Sequence, residues 1–297
     1  MKRWWAALVL LWPLALAAQS LSLSFEGGLD PRAQPEAAQW NAALLRALER
    51  AGLRAMLFPA GKRVDSPEGL ALVRAWGEAG HAIGNHTYAQ RNYGSPRVSF
   101  AEFSADVKVA DALLRELPGW TPRLRFPYLK EGESADKRDR MRDWMQLHGY
   151  EDAPVSIDTG DAYYDERLRA WRERHPGRNE ARFKQAYLAH LWNRAQYYDG
   201  LARRLIGRSP RHVLRLHTNA LNAAYLPDVI AMFRARGWRF VPPEEALKDP
   251  LYRKPVDTVP AGESVIWARA KRAGVRGLRV PPEDRAYEKL RLDKLGL

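Results

Sequence analysis

The chain contains no cysteine. That excludes disulfides, cysteine-ligated metals and acylation of a lipoprotein cysteine. Long apolar runs are also missing. The longest, Trp4 to Ala17, is shorter than the roughly 20 residues needed to span a bilayer, and Pro13 interrupts it, so no stable membrane anchor is expected. There is no internal repeat and no low-complexity tract. No Gly-x-Gly-x-x-Gly follows the first strand, which leaves dinucleotide binding without support. Positive charge is plentiful, with a formal net charge of +13, but it is scattered. The dense Lys/Arg blocks interleaved with aromatics that grip nucleic acid are absent. The basic balance favours other anionic partners through long-range attraction.

The start reads Met1-Lys2-Arg3, then the short apolar run, then Ala15-Leu16-Ala17 with small residues at both positions a signal peptidase reads. This is the pattern of a secretory signal peptide over residues 1–18, so an exported protein, periplasmic or extracellular after cleavage, is expected. The 297 residues, 46% of them hydrophobic, suit one large domain or two small ones.

Short apolar runs alternate with helical patterns. Strands are expected at Leu21 to Phe25, Arg54 to Phe58, Ala82-Ile83, Arg123 to Phe126, Val155 to Ile157, Val213 to Leu216 and Trp238 to Val241. Helices are expected from about Glu36, from Ser66-Pro67-Glu68, from the capping box Ser99-Phe100-Ala101-Glu102 and over Ala135 to His148. Others run over Tyr164 to Leu205, with a break near Pro176-Gly177, and over Pro227 to Arg236. Such alternation argues for a parallel α/β sheet, and repeated barrel units fit it better than a doubly wound sheet. The expected organisation is a barrel over 19–249 and a proline-rich C-terminal extension over 250–297 wrapping it, with a short helix near Glu263 to Arg272.

Five polar clusters stand directly behind strands: Ser24-Phe25-Glu26-Gly27-Gly28, Asn85-His86-Thr87-Tyr88-Ala89-Gln90, Arg125-Phe126-Pro127-Tyr128, Asp158-Thr159-Gly160-Asp161 and Leu216-His217-Thr218-Asn219. Reactive side chains placed repeatedly past strand ends predict one site at the C-terminal mouth of a barrel. The other histidines, His81, His148, His175, His190 and His212, lack this setting and read as structural or solvated.

In order and spacing the five clusters, with Gly80-x-x-x-Gly84-Asn85-His86-Thr87, resemble the polysaccharide deacetylases of the NodB type. The resemblance covers roughly Leu21 to Asp249. It implies a (β/α) barrel of seven or eight strands. It also implies hydrolysis of the carbon–nitrogen bond of an N-acetylated polysaccharide or cell-wall glycan, assisted by a divalent metal, zinc. In that chemistry the metal polarises the amide and activates water, a carboxylate takes the water's proton and a protonated His serves the leaving amine. By the same resemblance Glu26 matches the base, one methylene longer than the family's Asp. Arg125 matches its partner, Asp161 the carboxylate that orients the catalytic His, and His217 the proton donor. His86 matches one metal ligand. The other two ligand positions fall on Gly27, which has no side chain, and Gln90, whose amide is a poor ligand for zinc. Glu26 or Asp30 are conceivable replacement ligands. Tyr128, and Asn219 behind His217, are candidate substrate contacts. The alternative to catalysis is a glycan-binding or envelope interaction protein that has lost its metal.

Overall fold

Along Ser20–Gly27 (β1) polar and apolar residues alternate, so the two sets point to opposite faces. Leu21, Leu23 and Phe25 join the main apolar core beneath the helices. Ser20, Ser22, Ser24 and Glu26 take the other face, and all are buried. A strand buried on both faces is what a curled parallel sheet covered by helices requires. The computed structural model describes residues 19–279 and 285–297. The expected signal peptide and its cleavage site lie outside those residues.

The remaining strands are Met56–Pro59 (β2), Ala82–Asn85 (β3), Trp120–Leu124 (β4), Lys130–Gly132 (β5), Glu151–Asp152 (β6), Arg211–His217 (β7), Arg239–Phe240 (β8) and Ala261–Gly262 (β9). The main sheet has seven strands in the order β6-β4-β3-β2-β1-β7, and β8 pairs with the start of β1. Every pairing in it is parallel. The sheet curls so that the segment behind β6 reaches β7, where Ile157 makes a single bridge to Leu214. The fold is thus an α/β half-barrel, in keeping with the barrel expected.

Two elements differ from expectation. Val155 to Ile157 does not form a strand. Ser156 and Ile157 both donate to the Val213 carbonyl at 3.1 Å, so one acceptor serves two donors and no regular ladder can develop. The helix expected from Pro227 begins earlier, at Ala220–Ala235, because Asn219 caps it by accepting from the Asn222 amide at 2.8 Å. Pro227 sits inside that helix.

Behind the barrel, β9 pairs antiparallel with β5. The helix Val265–Arg272 packs on the long helix Ala181–Ile206. Leu292 and Leu297 enter the main core, and the buried Glu288 bonds the Tyr164 hydroxyl at 3.0 Å and pairs with Arg194. The C-terminal stretch is held by apolar burial and by this buried ion pair. Among the described residues no helix is long and apolar enough to cross a membrane.

Candidate functional site

The register of β1 on β7 sets Glu26 beside His217 and Ser24 beside Arg215. Side chains two apart on a strand share a face, so these four line the barrel mouth together. Arg125 enters from the loop behind β4, donating through Nε to the Ala153 carbonyl at 2.5 Å and through Nη2 to Ser24 Oγ at 3.2 Å. His86 enters from the turn behind β3. Glu26, His86, Arg125, Asp161 and His217 thus come together from distant parts of the chain.

Glu26 is buried among cations. Its Oε1 accepts from Arg215 Nη2 at 2.5 Å and lies 3.3 Å from His217 Nε2 and 3.8 Å from His86 Nε2. Its Oε2 faces Arg125 Nη1 at 3.3 Å. Burial alone would raise its pKa, but the attraction of Arg215 and of protonated His217 holds it well below the usual carboxylate range. Arg215 also donates through Nη1 to Asp158 Oδ1 at 2.9 Å. Two guanidiniums therefore sit against two carboxylates in the barrel interior. Arg125 reaches Glu26 as expected of a base's partner, yet the closer cation is Arg215, which sequence reasoning passed over. The signal was present: a charged residue inside the apolar run Val213 to Leu216, two before His217 and so on its face.

Asp161 opens the helix Asp161–Arg174. Its Oδ1 accepts from His217 Nδ1 at 2.7 Å, and its Oδ2 from the His217 amide at 2.9 Å and Asn222 Nδ2 at 2.6 Å. These bonds fix the imidazole with Nε2 toward the cleft. Burial disfavours its charged form, but Asp161 and Glu26 outweigh burial and raise the His217 pKa to about 10.

His86 is the opposite case: burial lowers its pKa to about 4, leaving it neutral. Its Nδ1 lies 2.8 Å from the Arg125 carbonyl. A carbonyl only accepts, so Nδ1 carries the proton and Nε2 presents a lone pair to the site. That is the tautomer a metal ligand needs.

The rest of the donor set does not fit a metal. Gly27, at φ +100°, offers no side chain. Gln90 lines the same cleft, from a turn where its amide donates to Thr87 Oγ1 at 3.1 Å. Among the described residues no group of three or more His, Cys, Asp or Glu side chains is arranged to hold a metal ion. Glu26 is engaged by Arg215. Asp30, conceivable as a replacement, lies outside the cleft because Arg32 takes its carboxylate at 2.9 Å.

A cleft of about 440 Å³ opens over these residues, walled also by Arg63, Tyr128, Tyr163, Glu166 and Arg169. Tyr128 is 48% exposed there, on a backbone at φ +58°. Asn219 is elsewhere: buried, it caps its helix and donates to Asp161 Oδ2 at 3.4 Å. It supports the Asp161–His217 pair and does not line the cleft, so the expectation of a substrate contact is corrected.

The curled parallel α/β sheet with this constellation at its mouth is the arrangement that the resemblance to polysaccharide deacetylases implies, and comparison with known proteins agrees on the fold. Residues 15–151 match the family described as polysaccharide deacetylase. A CE4 family pseudoenzyme from Bacillus anthracis is 15% identical, with a TM-score of 0.54 over 78% of this chain and 66% of that one. A mutant of that pseudoenzyme with restored enzymatic activity gives the same identity and TM-score, over 78% and 68%. A family 4 carbohydrate esterase from Streptomyces lividans, in complex with acetate, is 19% identical with a TM-score of 0.50, over 77% and 95%. At such identities the likeness is one of fold. No curated protein sequence matches the chain. The family match covers just under half of the chain, and two of the ligand positions that the resemblance implies fall on Gly27 and Gln90.

Proposed function

We propose that this protein is an exported, glycan-binding member of the family that does not deacetylate by the metal-assisted route. The observation that carries the reading is Arg215, set 2.5 Å from Glu26 and 2.9 Å from Asp158. A base must offer a lone pair to the attacking water's proton. Here both carboxylate oxygens of Glu26 face bound cations, and its lowered pKa makes it a weak proton acceptor. The buried positive charge that a metal would supply comes from the chain itself. What remains is a walled cleft with an exposed aromatic ring at Tyr128, suited to an N-acetylated sugar of an envelope glycan. Export rests on the leader pattern of residues 1–18.

One observation favours retained hydrolysis: the Asp161–His217 pair is fully oriented, with a protonated Nε2 facing the cleft. The experiment that separates the readings combines binding and turnover. N-acetylglucosamine oligomers are titrated calorimetrically, and acetate release is followed over hours with and without added zinc. Saturable binding with no acetate above a Glu26→Gln control is expected. Turnover above that control would overturn the proposal.

A further inference from the structure

Arg63 stands on the short turn of helix behind β2 and walls the cleft next to Gly27. A Cβ built on Gly27 would lie 3.8 Å from Arg63 Nη1 and 3.8 Å from His217 Cδ2. A Cβ there would be in ordinary van der Waals contact with a guanidinium, so the cleft at Gly27 is walled directly by Arg63. Among the described residues no carboxylate reaches Arg63 within 4 Å, and its side-chain hydrogen bond goes to the neutral Gln34 Oε1 at 3.4 Å. The nearby charges are mixed: Asp30 and Asp165 attract it, and Arg169 repels it. Arg169 walls the same cleft, with Nε 3.0 Å from Asp165 Oδ2 and half its side chain exposed.

The charged walls are thus Arg63, Arg169, Arg215 and His217 against Glu26 and Glu166. Arg215 and Glu26 are committed to each other. Two arginines held close around one cavity repel until an anion enters between them, and the guanidinium fork matches the paired oxygens of a carboxylate or a sulfate.

We propose that the cleft binds an acidic saccharide, whose anionic group occupies the space beside Gly27 and is held by Arg63 and Arg169. This rests on the glycan-binding reading and adds a charge requirement to it. The Tyr128 ring supplies a flat apolar face for the sugar bearing that group.

The test titrates the full mature chain with a hexuronate trisaccharide, with the neutral N-acetylglucosamine trisaccharide and with sulfate alone. The acidic trisaccharide should bind at least tenfold tighter than the neutral one at low salt and weaken as salt rises. Arg63→Gln should cost roughly tenfold or more for the acidic ligand, the usual scale for one charge-assisted contact, and clearly less for the neutral one, so that the preference between the two collapses. Arg63→Lys should fall between them. Arg169→Gln, at a more exposed position, repeats the test should Arg63→Gln unfold. Equal affinity for both trisaccharides, insensitive to either arginine, would overturn the anion site and leave the glycan-binding reading standing. If neither trisaccharide binds, the glycan-binding reading itself fails. Arg63-dependent binding of sulfate with no saccharide bound would overturn the saccharide as ligand.

Discussion

Arg215 Nη2 lies 2.5 Å from Glu26 Oε1, and the two side chains neutralise each other inside the barrel. Their strands are adjacent in register, Ser24 beside Arg215 and Glu26 beside His217, so the contact is built into the sheet. Asp158 on the far side of Arg215 and Arg125 on the far side of Glu26 extend it to two cations and two anions. Buried charges persist when they are paired and hydrogen-bonded. This site meets that condition with residues of the chain itself.

Removing one partner should therefore be costly. Arg215→Met would leave Glu26 and Asp158 buried with Arg125 as the nearest guanidinium. Breaking a buried pair in this way costs about 3–5 kcal/mol, read as a fall in the denaturant midpoint. Glu26→Gln in the same chain should return part of the loss, since one uncompensated charge is gone. Additive losses in the double variant would show that the two residues are not coupled.

The raised pKa of His217 makes a second prediction. Its ordinary value is 6.5 and its folded value about 10. A group raised on folding gives stability that is fully present below about pH 6.5 and is lost as pH rises through about 10. Thermal unfolding followed from pH 7 to 10.5 should show a declining alkaline limb that His217→Gln flattens. Parallel limbs for the two proteins would refute the assignment. Asp161→Asn should weaken the limb too, because Asp161 is the foremost group favouring the charged imidazole.

The parallel half-barrel and the convergence of Glu26, His86, Arg125, Asp161 and His217 were legible because period-two strands and the polar clusters behind them are local patterns. Asp158 and Arg215 were harder to read. A charge inside Val213 to Leu216 has meaning only once β7 is set beside β1, which is tertiary information. Arg63 was invisible for a similar reason: nothing in Gly61 to Val64 says that the turn folds over Gly27. Asn219 was misread because a residue behind a catalytic His and a residue capping a helix present the same letter. The cap, with its bond to Asn222, occupies the side chain.

That reading of Asn219 is itself testable. Asn219→Ala removes the cap of Ala220–Ala235 and one donor to Asp161. Loss of a cap costs about 1 kcal/mol, so the unfolding midpoint should fall by that measure. Affinity for any saccharide that binds should stay within twofold, since Asn219 does not line the cleft. A large loss of affinity with unchanged stability would restore it to the binding surface.

The last prediction concerns rebuilding a metal site. Gly27→Asp with Gln90→His would restore a carboxylate and a second imidazole beside the correctly protonated His86, a ligand set that suits zinc with an open position for water. Two features of the structure oppose it. Gly27 sits at φ +100°, where an L side chain costs about 1–3 kcal/mol. The Cβ carrying the new carboxylate would also lie 3.8 Å from Arg63 Nη1, and a guanidinium within reach of that side chain would capture it as an ion pair before a metal could. The double variant is therefore expected to bind zinc weakly and to lose stability. Adding Arg63→Ala should free the carboxylate, and zinc retained after dialysis against a mild chelator should rise toward one per chain. If the double variant already holds stoichiometric zinc as tightly as the triple, Arg63 does not compete for the ligand position. If the triple variant folds and retains no metal, Gly27 and Gln90 are not the vacated ligand positions, and the assignment of the site must be redrawn around His86 alone.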